Sequence, residues 1–72
     1  MTQAESKARA IIAAQNTDRL IDQFELTEVV NDPSVYAVRG WLMDELQARD
    51  AVAFDRWIDS MEDSPRSFFI RA

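Results

Sequence analysis

The chain contains no cysteine and no histidine, and only one glycine and two prolines among its 72 residues. Without cysteine there are no disulfides and no thiolate metal sites. Without histidine the commonest general base and the commonest transition-metal ligand are missing. Ser-His-Asp triads, Cys-His dyads and the Glu-x-x-His pattern of di-metal bundles are therefore excluded. A lone glycine, Gly40, excludes a glycine-rich phosphate loop. So few turn formers favour helices over a strand-rich fold. Long apolar runs are also missing, and none approaches the roughly 20 residues needed to cross a bilayer. The opening Met1-Thr2-Gln3-Ala4-Glu5 lacks a basic stretch followed by an apolar one, so no signal peptide is expected. The expected location is the cytoplasm, with which the absence of cysteine is compatible.

Positive charge is scarce and dispersed. Thirteen acidic residues oppose eight basic ones, for a net charge of −5. The basic residues (Lys7, Arg9, Arg19, Arg39, Arg49, Arg56, Arg66 and Arg71) stand singly. Nucleic-acid binders carry basic surfaces, because phosphate neutralisation supplies most of their non-specific affinity. Direct DNA or RNA binding is not expected here. Hydrophobic residues make up 47% of the chain, too many for disorder. A chain of this size buries roughly 60% of the surface that its unfolded form exposes. Small chains often add a metal, disulfides or a partner subunit for stability.

Apolar spacing and capping residues predict four helices in one domain, residues 1–72, with 64–72 as a short tail. The first spans about Thr2 to Gln15, with Ala4, Ala8, Ile11 and Ile12 on one face. Thr17 or Asp18 can cap a second helix, running from about Asp18 to Val30. Its main stripe is Leu20, Ile21, Phe24 and Thr27. Leu26, Val29 and Val30 form another near its end. At 100° per residue, Ile11 and Ile12 point about 120° or more away from Leu20 and Phe24. That favours a break between the first two helices, although one long helix with two apolar faces stays open. Asn31-Asp32-Pro33 is the clearest boundary, with Asp32 as cap and Pro33 at the first helical position. A third helix then runs to Arg49, with Val35, Val38, Leu42, Met43 and Leu46 on one side. Trp41, Ala37 and Ala48 lie on the other. Apolar on two sides, it is expected to be central. Asp50 can cap a fourth helix from about Ala51 to Met61, whose stripe is Phe54, Trp57, Ile58 and Met61. The tail Arg66–Ala72 is expected to dock as an extended segment. The expected fold is all-α, a compact bundle of three to four short helices.

Several residues stand out chemically. Arg39 falls inside the main stripe of the third helix, where a charge must pair or reach water. It is read as an edge arginine with a packed stem, or as a structural ion pair with Asp18, Asp22 or Glu25, which share a helix face. Paired carboxylates can hold a metal or act as acid and base, but Asp18, Asp22 and Glu25 also suit a solvated face. Asp55, Asp59, Glu62 and Asp63 repeat that pattern, and Asp55, Asp59 and Glu62 are candidates for steering toward a basic partner. Trp41, opposite the main stripe and with Tyr36 on the arc between the two faces, needs a cover: the first helix or the tail, a second copy, or a foreign partner. It is the leading candidate for an interface because tryptophan is enriched in binding hot spots. Gly40 in a helix interior costs up to about 1 kcal/mol against alanine, which close approach of another helix would offset. No catalytic, cofactor-binding or metal-ligating residue is assigned, and an enzyme is not expected.

The segments Gly40-Trp41-Leu42-Met43-Asp44-Glu45-Leu46 and Ala53-Phe54-Asp55-Arg56-Trp57-Ile58-Asp59-Ser60 resemble small uncharacterised proteins of actinobacteria and their phages and plasmids. The resemblance covers roughly residues 17–69. It implies a small helical accessory protein of a mobile element and transfers no activity. The favoured reading is a small acidic, non-enzymatic module that docks on a protein partner with a basic surface. The first alternative is a structural or regulatory homo-oligomer, a homodimer in its simplest form. The second is a DNA-associated regulator in which the second and third helices form a helix-turn-helix.

Overall fold

The computed structural model describes residues 2–70. They form five helices: α1 (Gln3–Ala13), α2 (Thr17–Thr27), α3 (Ser34–Arg49), α4 (Ala51–Ser60) and a single turn, α5 (Arg66–Phe69). The fold is an all-α bundle, and no strand occurs among the described residues. Of the expected tail, Arg71 and Ala72 lie outside the described residues.

Side-chain caps set most of the boundaries. Thr2 accepts a hydrogen bond from the Glu5 amide at the start of α1. Asn16, rather than Thr17 or Asp18, caps α2 by accepting from the Arg19 amide. Asp32 accepts from both the amide and the hydroxyl of Ser34, and Pro33 adopts helical angles ahead of α3, as the Asn-Asp-Pro boundary predicts. Asp50 caps α4 through the Ala53 amide. The α2 helix stops at Thr27, short of the expected Val30.

The chain breaks between α1 and α2, and Arg49 secures the break. Its guanidinium donates to the carbonyls of Ala13 and Gln15 and to the Thr17 hydroxyl, and it pairs with Glu45. The last carbonyls of a helix have no partner within it, and a cation there also meets the favourable end of the helix dipole.

The core collects Ile12, Leu20, Ile21, Phe24, Leu42, Leu46 and Trp57. Phe24 and Trp57 meet edge-to-face at 5.1 Å, and Phe54 meets Trp57 likewise at 5.7 Å. As expected, α3 is central and packs against α1, α2 and α4. Its expected stripe narrows to Leu42 and Leu46. Val35 and Met43 are half-buried and Val38 is exposed. The stripe on α4 also rotates. Ala53 and Trp57 are buried, Phe54 is half-buried, and Ile58 and Met61 face outward. The turn of α5 packs on α4 and α2. The tail is thus a helical turn and not an extended strand. Phe68, Phe69 and Ile70 pack against the core from it.

Replacing Arg49 with methionine keeps the apolar stem but removes the donors to the α1–α2 corner. Hydrogen bonds to a charged group contribute about 1.5–3 kcal/mol, so the variant is expected to lose about 2 kcal/mol in urea unfolding. Glu45→Gln, which removes only the partly exposed ion pair, is expected to cost less than about 1 kcal/mol.

Candidate interaction surface

Two groups of charged residues foreseen in the sequence take different partners from those expected. Arg39 pairs with Glu28, not with Asp22 or Glu25, and its guanidinium lies 4.5 Å from the centroid of the Phe24 ring. Helix geometry explains the change. Phe24 and Glu28 are one turn apart on the side of α2 facing α3. Asp18, Asp22 and Glu25 lie roughly 100° or more round the same helix from Phe24.

Those three carboxylates are gathered instead by Arg66 of α5, which pairs with Asp18, Asp22 and Glu25. The Ser64 hydroxyl also donates to Glu25, and Pro65 is fully buried beneath this clamp. The acidic face of α2 is therefore the dock for the tail. The Arg66 guanidinium and then the Ser64 hydroxyl hold the Glu25 carboxyl down at about 2. Among the described residues, no group of three or more acidic side chains is arranged to hold a metal ion.

The candidate partner-binding residues do not form one surface. Trp41 is half-buried against the core and lines a shallow concavity with Arg9 and Ile12 of α1. Tyr36 lies on another side of α3 and is 73% exposed. Asp55, Asp59 and Glu62 are exposed on α4 and just beyond it, and the Glu62 carbonyl accepts from the Trp57 indole. Helix α1 half-covers Trp41, in line with the reading that the first helix or the tail buries it.

Around Tyr36 the structure brings together residues that spacing did not connect. Val29 is 77% exposed and Met61 is 88% exposed, with Val30 and Ile58 also outward. Two shallow concavities share Arg39 as a common wall. One is lined by Val29, Val30 and Tyr36, the other by Met43, Ile58 and Met61 with Glu62 and Asp63. Tyr36, Arg39 and Met43 follow one another at i, i+3 and i+7 along α3, so the concavities lie along a single helix side.

Two backbone features border this side. Gly40 is exposed in the middle of α3, and a β-carbon added there would meet nothing within 4 Å. Among the described residues nothing packs close to it, so no helix of the bundle makes the close approach that would offset the cost of a glycine there. Met61 ends α4 in the left-handed region at φ 60°, where glycine is the usual residue. That conformation costs a non-glycine residue roughly 1 kcal/mol or more.

Among the described residues, no helix is long and apolar enough to cross a membrane. Comparison with protein-family models, curated proteins and solved structures gives no match to this chain.

Glu25 links stability to acidity. Its carboxyl is lowered in the folded state, so its contribution is fully present above the ordinary value of 4.5 and is lost as pH falls toward about 2. Urea midpoints measured across that interval are expected to fall, and Glu25→Gln is expected to flatten the fall. A second expectation concerns Gly40→Ala, which adds a methyl group in open space and removes backbone freedom from the unfolded chain. The variant is expected to gain about 0.5–1 kcal/mol in the same assay.

Proposed function

We propose that the protein is a small acidic interaction module, without catalytic activity, that docks on a partner protein. The observation that carries this reading is the set of exposed apolar side chains around Arg39, with Met61, Val29 and Tyr36 most open, bordered by acidic residues. Contiguous apolar surface on a small chain is costly in water unless something covers it, and such patches mark binding surfaces. The carboxylates of Asp55, Asp59, Glu62 and Asp63 lie on and just after α4. They form an acidic edge that attracts a basic surface from a distance. Trp41, half-covered by α1, supports the module as packing more than as a contact.

The resemblance of residues 40–46 and 53–60 to small proteins of actinobacterial phages and plasmids supports reading the module as an accessory protein of a mobile element. There an inhibitor, a host-takeover factor or an antitoxin-like neutraliser would work by docking alone. A cytoplasmic location is part of the same proposal, supported by the absence of any helix long and apolar enough to cross a membrane among the described residues. The same apolar side favours self-association as a second reading, because a homodimer would cover it.

Affinity purification from the native host at low salt tests the proposal. A stoichiometric protein partner, lost progressively as salt rises over about 0.05–0.5 M, is the expected result, because the Debye length shortens to a few ångströms over that range. A partner whose binding is indifferent to salt would remove acidic steering. Recovery of the protein alone, as a dimer in solution, would replace the module with the homo-oligomer.

A further inference from the structure

We propose that the side of α3 bearing Tyr36, Gly40 and Met43 is a groove for an amphipathic helix of the partner. The occupant is apolar on one face and carries lysine or arginine along its edges. This rests on the reading of the chain as a protein-binding module, and it adds where the partner sits and what chemistry it presents.

The shape supports a helix. Val29 and Tyr36 lie at one end of the surface, Ile58 and Met61 at the other, with the Arg39 stem and Met43 between them. On α3 these residues run from Tyr36 to Met43, about 10 Å at 1.5 Å per residue. A partner helix of two to three turns covers that span, and its i, i+4 and i+7 side chains would meet the two concavities in turn. Gly40 stands near the middle of this line with no side chain and open space above its backbone. The missing side chain lets a second helix approach the backbone closely there. Met61, flexible and almost fully exposed, suits an irregular apolar contact.

The charge selects a cationic occupant. Glu28, Glu62 and Asp63 line the two concavities, and Asp32 and Asp59 stand beside residues that do. Among the described residues, Arg39 is the only cation in either lining. Its guanidinium is already engaged by Glu28 and the Phe24 ring. The rim therefore presents negative charge with little internal compensation. A second copy of the chain is the poorer match. A two-fold contact sets the same patch against itself, so the acidic rims would meet and each copy would bring a charge of −5.

The test uses the full chain and a fluorescein-labelled 16-residue leucine/lysine peptide with leucines at i, i+3, i+4 and i+7. Anisotropy titration is expected to show binding that weakens about tenfold or more in Tyr36→Ala and in Met61→Gly. Ile11→Ala and Val52→Ala, which trim exposed apolar residues elsewhere, are expected to stay within about twofold of the parent chain. Met61→Gly relieves a left-handed backbone, so its loss of affinity would not come from unfolding, and circular dichroism checks this. A matching leucine/glutamate peptide is expected not to bind.

No binding of the lysine peptide overturns the groove. So does binding that ignores Tyr36→Ala and Met61→Gly, or that falls equally in Val52→Ala. Equal affinity for the glutamate peptide overturns the cationic occupant. A dimer in sedimentation that Tyr36→Ala reduces to monomer assigns the surface to a second copy and overturns the proposal. A native partner that binds both groove variants as tightly as the parent chain also overturns the groove, while leaving the interaction module standing.

Discussion

The Phe24 ring is the point on which the bundle depends. It is fully buried, and the Trp57 indole of α4 meets it edge-on while the Arg39 guanidinium of α3 lies over its face. Three helices separated in sequence therefore meet on one side chain of α2. Aromatic pairs of this geometry add about 0.5–1.5 kcal/mol beyond the area they bury, which is appreciable for so short a chain. The same contact explains how a charge can stand in an apolar stripe. Arg39 keeps its stem on the core, its cation on a ring face and its outer edge on Glu28. Truncating Phe24 would leave a cavity, remove the ring beneath the Arg39 cation and unseat Trp57 together.

Around that centre, long-reaching arginines make connections that a cysteine-free chain cannot make by disulfides. Arg49 bridges about 34 residues to reach the carbonyl of Gln15, and Arg66 bridges about 41 to reach Glu25. Isolated exposed ion pairs contribute little, with a median of about 0–1 kcal/mol. These two do more than pair charges. Arg49 satisfies backbone carbonyls left open where α1 ends. Arg66 places a turn whose Phe68, Phe69 and Ile70 then pack on the core. For Arg49 the stabilisation lies in the hydrogen bonds themselves, whereas Arg66 fixes a position and the burial behind it adds to the stability.

The all-α bundle, the central place of α3 and the core residues of α2 were legible in the sequence. Each was written in local spacing. Leu20, Ile21 and Phe24 sit within one turn of each other, and Asp32-Pro33 marks a start that only a helix needs. The partners of Arg39, Arg49 and Arg66 were not legible, because each depends on how helices rotate against one another. The targets of Arg49 are mostly backbone carbonyls, which leave no mark in a sequence. Asp18, Asp22 and Glu25 have the spacing of a solvated face, and only a lone Arg66 after Ser64-Pro65 hinted otherwise. For the candidate surface, Tyr36 was found because it stands clear of the stripe. Trp41 drew attention by its type, yet α1 half-covers it. Val29, Met43, Ile58 and Met61 had been read into helix stripes, and only packing shows which side of each stripe remains open.

The arginine pairs also fix where the net negative charge lies. Arg9 meets Glu5 and Asp44, Arg49 meets Glu45, Arg66 meets the three carboxylates of α2, and Arg39 meets Glu28. Asp32 and Asp50 are engaged as helix caps. Asp55, Asp59, Glu62 and Asp63 are left along α4 and the segment after it, with no carboxylate–cation pair among the described residues. The −5 of the chain is therefore not spread evenly, and its negative end adjoins Ile58 and Met61. Stability is also given up near that side, at an open glycine in mid-helix and a methionine in a left-handed turn. Elsewhere the caps and clamps fasten the chain. Neither position holds the residue that local stability favours, alanine at 40 and glycine at 61, and both adjoin the side of the bundle whose acidic residues have no cation partner among the described residues.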